Sequence, residues 1–386
     1  MNPQRRSLTN LVAQLWPAPA VVTTGEVPEG HVAVETYAVV PDPERAAFLV
    51  PLRTRVSAAA TVSRYNGLRP VKTRLTRSLL GAGFLVGLSQ AALRHRLVVC
   101  VPAAERSELL SEHLGQVLGQ EIVIGSGVRY PDPNLKPVLQ LFSPAGRPVG
   151  YVKVGWNDAT RAMVTTEAEV LAKVRGSGLF QVPELLHHGH WRDYALTVTA
   201  PLPLGTRRHA DVDGPPGRAV LEAIAAVDGT RSETLGESGF WSAVRAEIDG
   251  MAADEPDLSA AMARVADRVE HRHGDDVHTF GRWHGDWVPW NLGRHRGALQ
   301  VWDWEHSAAG VPSGFDEAHW RFQVAMVVRR LGLRGAVEAA RTTGPAANLY
   351  LLEMFLRAYR LKRGGGGWSH RFHPHIFDEL ARLEEW

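Results

Sequence analysis

His284-Gly285-Asp286-Trp287-Val288-Pro289-Trp290-Asn291 is the stretch on which the reading of this chain turns. Pro289 has no backbone N–H and its ring obstructs the preceding turn, so Asp286 and Asn291 belong to a loop, not a helix. After Asn291 come a short apolar piece, the turn His295-Arg296-Gly297 and a second apolar piece ending in Val301-Trp302-Asp303-Trp304-Glu305. That pattern predicts a hairpin, and a hairpin brings its two ends back beside each other. Asn291 and Asp303 can therefore share one pocket although twelve positions separate them. Trp302 and Trp304 flank Asp303, and a carboxylate in apolar surroundings needs a compensating cation. One amide oxygen and one carboxylate are hard donors of the kind Mg²⁺ accepts, with substrate phosphates completing its octahedron.

The string His284-Gly285-Asp286, Asn291 five positions after the Asp, and Asp303 twelve after that resemble the aminoglycoside phosphotransferase and choline kinase-like family. These are small-molecule kinases with the two-lobed protein-kinase fold, and the resemblance covers roughly residues 120–325. It implies ATP as phosphoryl donor, Asp286 accepting or orienting a substrate hydroxyl, His284 and Asn291 beside it in the catalytic group, and Asn291 with Asp303 holding Mg²⁺. Gly310-x-Pro312 and Asp316 look similar to the segment that follows the metal Asp in that family, and Asp316 reads as a structural brace of the catalytic loop. Gly285 stands where protein kinases carry an Arg, which favours the small-molecule branch.

Upstream, Lys153 is the one charge in the apolar strand predicted over Val149–Val154. On the helix predicted from about Thr160 to Arg175, Met163, Val170, Leu171 and Val174 share one face at ~100° per residue. Glu167 falls on that stripe and Glu169 on the opposite one, so Glu167 is the expected partner of Lys153. In kinase-like folds such a pair positions the ATP α/β-phosphates. Gly125-Ser126-Gly127, one hairpin upstream, is expected to turn the chain over the phosphates with its backbone N–H groups. Thr199, Ala200 and Leu202 are expected to offer main-chain groups to the adenine, Pro201 between them having no donor.

The 386 residues, at ~150 per domain, suggest two to three domains. Hydrophobic residues at 45% and charged residues at 22% allow a sizeable core and argue against extended disorder. A net charge of +2 imposes no global field on a partner. The lone Cys100 excludes an internal disulfide and fits a reducing compartment. No apolar run reaches the ~18 residues of a membrane span, and Asn10, Gln14 and Pro17 spoil the segment after Arg5-Arg6 as a signal sequence, so that segment reads as a surface helix and the protein as cytoplasmic.

Between Glu44 and Glu105 ten basic residues occur and no acidic one. Strands over Val32–Val40 and Ala46–Leu52, a helix over Lys72–Leu93 and a strand-like run over Arg94–Val101 read as a mixed α/β module. The expected fold is thus α+β: a two-lobed protein-kinase-like fold, with a small N-lobe sheet carrying one helix and a mainly helical C-lobe, preceded by a separate module. The domains are 1–118 (basic accessory), 119–202 (N-lobe with hinge) and 203–386 (C-lobe with the catalytic loop).

The expected activity is ATP- and Mg²⁺-dependent phosphorylation of a hydroxyl on a small, sugar-like or aminoglycoside-like molecule. Two rivals stand beside it: a catalytically weak kinase-fold binding protein, and an anionic-ligand or nucleic-acid-associated protein acting through the basic module. Only Phe48, Tyr65 and Phe84 interleave the basic stretch, which argues against nucleic acid. A charge run is usually a solvated face; the sharper expectation is that Arg64, Arg69, Lys72, Arg74 and Arg77 converge on one anion. His187, His188 and His190, His271 and His273, and His373 and His375 fit no common zinc spacing. Trp287 and Trp290 flank the proposed base and are candidates for lining a substrate pocket.

Overall fold

The computed structural model describes residues 3–64, 68, 70–89, 93–103, 108–129, 134–210 and 214–366. The architecture is α+β, in two compact units: Met1–Ala168 with Pro183–Arg207, and Glu169–Val182 with Arg208–Trp386.

The first unit is built on strands β1 (Val21–Thr23), β2 (His31–Val40), β3 (Phe48–Pro51), β4 (Arg96–Pro102), β5 (Val123–Gly127), β6 (Val138–Phe142), β7 (Pro148–Gly155), β9 (Leu185–Trp191) and β10 (Tyr194–Thr199). They form one sheet in the order β1-β4-β2-β3-β5-β6-β7-β10-β9. The break expected at 118/119 is not observed. β3 pairs antiparallel with β5 through Phe48↔Gly127 and Leu49↔Ser126, so strands from both sides of that position share a sheet. The reason is edge chemistry, because β5 without β3 would present a row of unsatisfied N–H and C=O groups.

The core is continuous too. Leu8, Leu11 and Leu15 of helix α1 (Pro3–Leu15) pack in one cluster with Val39, Leu49, Val99, Leu139, Val152 and Leu196. The segment expected as a surface helix therefore supplies core. Helices α2 (Arg55–Ser63) and α3 (Val71–Leu85) place Ala58, Val62 and Phe84 against Ala38, Phe48 and Val50. α3 stops before the expected Leu93 because the chain turns at Gly87, whose φ of +83° suits a residue without a Cβ. α4 (Leu110–Leu118) buries Leu110 and Leu114.

The charges of the basic stretch are dispersed. Arg45 pairs with Asp42 at 2.7 Å, Arg53 pairs with Glu121, and the Arg77 guanidinium lies 4.7 Å over the Phe48 ring. Arg64, Lys72 and Arg74 are exposed. Tyr65, Arg69, His373 and His375 lie outside the described residues.

The second unit holds a sheet of β12 (Arg231–Thr234), β13 (Val277–Trp283) and β16 (Ala308–Pro312), and another of β11 (Arg207–Arg208), β14 (Leu292–His295), β15 (Ala298–Val301) and β8 (Phe180–Gln181). β14 and β15 are the hairpin that the spacing predicts, paired from Leu292↔Val301 to His295↔Ala298. Helices α6 (Arg218–Ala225), α7 (Gly239–Gly250), α8 (Pro256–His273), α9 (Phe315–Gln323), α10 (Gly332–Arg341) and α11 (Ala346–Arg363) complete it. Trp241, Ile248, Met262, Val265, Trp283, Phe315, Tyr350 and Phe355 belong to its core. Among the described residues no helix is long and apolar enough to cross a membrane.

Candidate functional site

In the first unit the site is the ion pair of Lys153 on β7 and Glu167 on helix α5 (Asp158–Lys173), with Nζ and Oε2 2.7 Å apart. The side chains are 12% and 4% exposed, so the pair is nearly out of water. Two features hold α5 in place. Thr160 Oγ1 accepts from the Trp156 and Asn157 N–H groups at 2.9 and 3.0 Å, capping the helix start. Thr197, opposite Lys153 on β10, donates its hydroxyl to the Val164 carbonyl at 2.8 Å and ties the sheet to the helix. Glu169 is exposed, as the helical-face argument requires.

Two expectations about the first unit need correction. Gly125, Ser126 and Gly127 do not form a turn. They lie within β5, registered with β6 through Gly125↔Gln140 and Ser126↔Leu139, and Ser126 and Gly127 are also registered with β3. The short side chain at 125 serves packing: a Cβ there would come within 2.6 Å of Thr61 Cγ2 on α2. Glycine in a strand often marks such a close approach. Thr199 is the last residue of β10, half-buried like Ala200 and Leu202. The Ala200 N–H already donates to the Glu184 carbonyl at 2.8 Å, so that donor is engaged.

In the second unit β13 delivers the chain to His284, and the loop bends back on itself at Gly285. Its φ is +85°, and a Cβ at that position would strike the His306 carbonyl oxygen, so only glycine fits. Asp316, at the start of α9, accepts the N–H groups of His284 at 2.7 Å and Gly285 at 3.0 Å, bracing the loop as the sequence suggests. Arg357 on α11 donates to the Gly285 carbonyl at 2.7 Å.

Asn291 donates its amide to Asp286 Oδ2 at 2.7 Å. The Trp302 N–H donates to the Asn291 carbonyl at 3.2 Å, so the hairpin returns Asp303 to the residue after a direct backbone contact with Asn291. Asp303 is held at φ +67°, a left-handed conformation uncommon outside glycine and found preferentially at functional sites. His284 Nδ1 accepts from the Asp286 N–H at 3.2 Å and its Nε2 donates to the Trp302 carbonyl at 3.1 Å, which fixes a neutral imidazole. Burial pushes that ring down to about 4. Trp287 is wholly buried against His284, ring centroids 5.7 Å apart, and so is core rather than pocket wall; Trp290 is half-buried.

Three residues that the sequence reading passed over complete the cluster in the second unit. His319 Nε2 lies 3.0 Å from Asp286 Oδ1, and its Nδ1 lies 3.0 Å from the Tyr350 hydroxyl. Arg357 is the third. Burial would raise the Asp286 carboxyl, but the hydrogen bond and charge of His319, with His306 and His284, hold it down to about 2. Burial raises Asp316 to about 7 against the pull of its two backbone donors and Arg357.

Among the described residues no group of three or more His, Cys, Asp or Glu could hold a metal ion. Mg²⁺ takes one or two protein oxygens and draws the rest from phosphates and water. Asn291 uses its N–H on Asp286, leaving Oδ1 as a hard donor atom.

No protein-family model and no curated protein matches the chain. Among solved structures it is similar to a thermostable mutant of aminoglycoside phosphotransferase APH(4)-Ia in ternary complex with ADP and hygromycin B, at 15% identity and a TM-score of 0.47, over 72% of this chain and 99% of that one. It is also similar to choline kinase LicA from Streptococcus pneumoniae, at 12% identity and a TM-score of 0.40, over 64% of this chain and 88% of that one. LicA in complex with AMP gives 13% identity and a TM-score of 0.43 over 71% and 96%.

Proposed function

We propose that this protein transfers a phosphoryl group from ATP to a hydroxyl of a small molecule, in a Mg²⁺-dependent reaction. The observation that carries the reading is the Asp286–Asn291 contact of 2.7 Å at the point where the β14–β15 hairpin returns Asp303. Phosphoryl transfer asks a protein mainly for positioning and charge neutralisation. Asp286, ionised at any working pH, receives the hydrogen bond of the acceptor hydroxyl and takes its proton as the new P–O bond forms and the bond to ADP breaks. Asn291 and Asp303 are the residues that would hold Mg²⁺, which when bound neutralises phosphate charge. Lys153, oriented by Glu167, serves the α/β-phosphates. Gly285 and Asp316 fix the loop that carries Asp286.

The test is ATP consumption over a panel of sugars, polyols and aminoglycosides, with products read by mass spectrometry. Mg²⁺-dependent addition of one phosphate to a panel member, abolished in Asp286→Asn, is the expected result. No ATP binding with Mg²⁺ present, and no product from any acceptor, would overturn the reading.

A further inference from the structure

His319 is 1% exposed and Tyr350 is fully buried, yet their polar atoms line up on Asp286. The chain runs from the Tyr350 hydroxyl to His319 Nδ1 at 3.0 Å, then from His319 Nε2 to Asp286 Oδ1 at 3.0 Å. An ionised carboxylate only accepts hydrogen bonds, so Nε2 carries the proton and donates. A neutral ring then has its lone pair at Nδ1, and the Tyr350 O–H is the donor that satisfies it.

Burial favours the neutral ring, although the Asp286 hydrogen bond and charge pull the other way; Arg357 adds to the burial effect. The groups facing this imidazole are Asp286 from the catalytic loop, Tyr350 and Arg357 from α11, and the edge of Trp283 from β13. Asp286 thus accepts from a neutral amide on Oδ2 and an imidazole on Oδ1.

We infer that Tyr350 and His319 form a positioning relay that fixes the plane of the Asp286 carboxylate and the tautomer of the ring that donates to it. A carboxylate rotates easily about its terminal torsion. One donor on each oxygen removes that freedom and leaves the remaining lone pairs for an incoming hydroxyl. The Asp286 side chain keeps 27% of its surface exposed, so it is still open to one. The catalytic consequence rests on the phosphotransferase reading; the relay itself does not.

Two measurements on the full-length chain test it, and they fail separately. The first is ¹⁵N NMR of histidine-labelled protein, with the His319 signals assigned by their loss in His319→Gln. The relay requires the Nε2–H tautomer of His319 between pH 6 and 8, and a shift of its Nδ1 signal in Tyr350→Phe, where that lone pair loses its donor. A Nδ1–H or doubly protonated ring in the parent, or an unmoved Nδ1 signal in Tyr350→Phe, would overturn it.

The second is Mg²⁺-dependent ATP hydrolysis at neutral pH, with water as the acceptor. His319→Leu should lower kcat by roughly 10- to 100-fold with the ATP KM within about twofold, because the loss is one of orientation. His319→Gln, whose amide can still donate to Oδ1, should recover most of the rate. Equal loss in both variants would reduce His319 to packing and overturn the relay. If the parent hydrolyses no ATP, the phosphotransferase reading loses support while the tautomer measurement still decides the relay.

Discussion

Lys153 on β7 and Glu167 on α5 meet at 2.7 Å with Lys153 12% and Glu167 4% exposed at the side chain, a contact made by two elements that Thr197 also bridges. A pair this far from water is costly to leave half made, because removing one partner strands the other charge. Glu167→Gln should therefore destabilise by about 3–5 kcal/mol on that general scale, while Glu169→Gln stays within about 0.5 kcal/mol. Chemical denaturation of the two variants side by side gives the comparison. Equal effects would show that the buried face does not discriminate between them.

Asp286→Asn should cut turnover by at least ~10²-fold through loss of the proton acceptor, with ATP affinity nearly unchanged. Asp303→Ala should instead abolish the Mg²⁺ dependence of ATP binding. Calorimetric titration of ATP with and without Mg²⁺ separates the two, and the assignment fails if Asp286→Asn is the variant that loses the metal effect.

Gly285→Ala should be among the most damaging single-methyl changes in the chain. The new Cβ meets the His306 carbonyl oxygen at a backbone φ of +85°. Strain of this kind costs of order 1–3 kcal/mol before any clash is relieved. Its relief would displace the loop between His284 and Asp286. Loss of turnover exceeding any drop in melting temperature is expected; a variant with parental kinetics would show that the loop tolerates the shift.

Gly125→Ala gives the opposite pattern. It should lower stability through the approach to Thr61 and leave the ATP KM unchanged, and Thr61→Ala in the same chain should restore part of the loss. A large rise in ATP KM with stability intact would return Gly125 to phosphate binding.

The pH dependence of stability has a sign that can be read at His284. Burial holds its folded value to about 4, against about 6.5 for a free imidazole. Between those values the unfolded chain carries a proton that the folded chain refuses, so this residue makes stability fall as pH drops from about 6.5 to 4. Asp316, raised to about 7, works the other way, because the folded chain keeps a proton there that the unfolded chain releases. Melting temperatures between pH 4.5 and 7.5 should fall less steeply toward acid in His284→Gln than in the parent. Parallel curves would remove His284 from the balance.

The loop that carries Asp286 and its hairpin were legible because their constraints are local. Pro289 forbids a helix and His295-Arg296-Gly297 makes the turn, so the return of Asp303 toward Asn291 follows from about twenty residues. Glu167 was legible for the same reason, since helical periodicity separates it from Glu169 within one turn. What failed was non-local. Gly125-Ser126-Gly127 looks like a turn only until β3 arrives from about eighty residues upstream to pair with it. His319 did leave a trace, lying three positions after Asp316 on the same helix and so turned toward the same side. Tyr350 left none, because the chain between it and Asp286 is sixty-three residues of other structure.

The β3–β5 seam sets a limit on how this chain can be divided. A chain beginning at residue 119 would keep every side chain assigned to nucleotide, metal or acceptor, yet it would bare the Phe48-facing edge of β5 and the floor beneath Leu139 and Val152. Edges of that kind recruit strands from neighbouring molecules. The first hundred or so residues should in this sense guard against self-association, and a chain shortened to begin at residue 119 should yield aggregate, not a smaller folded protein.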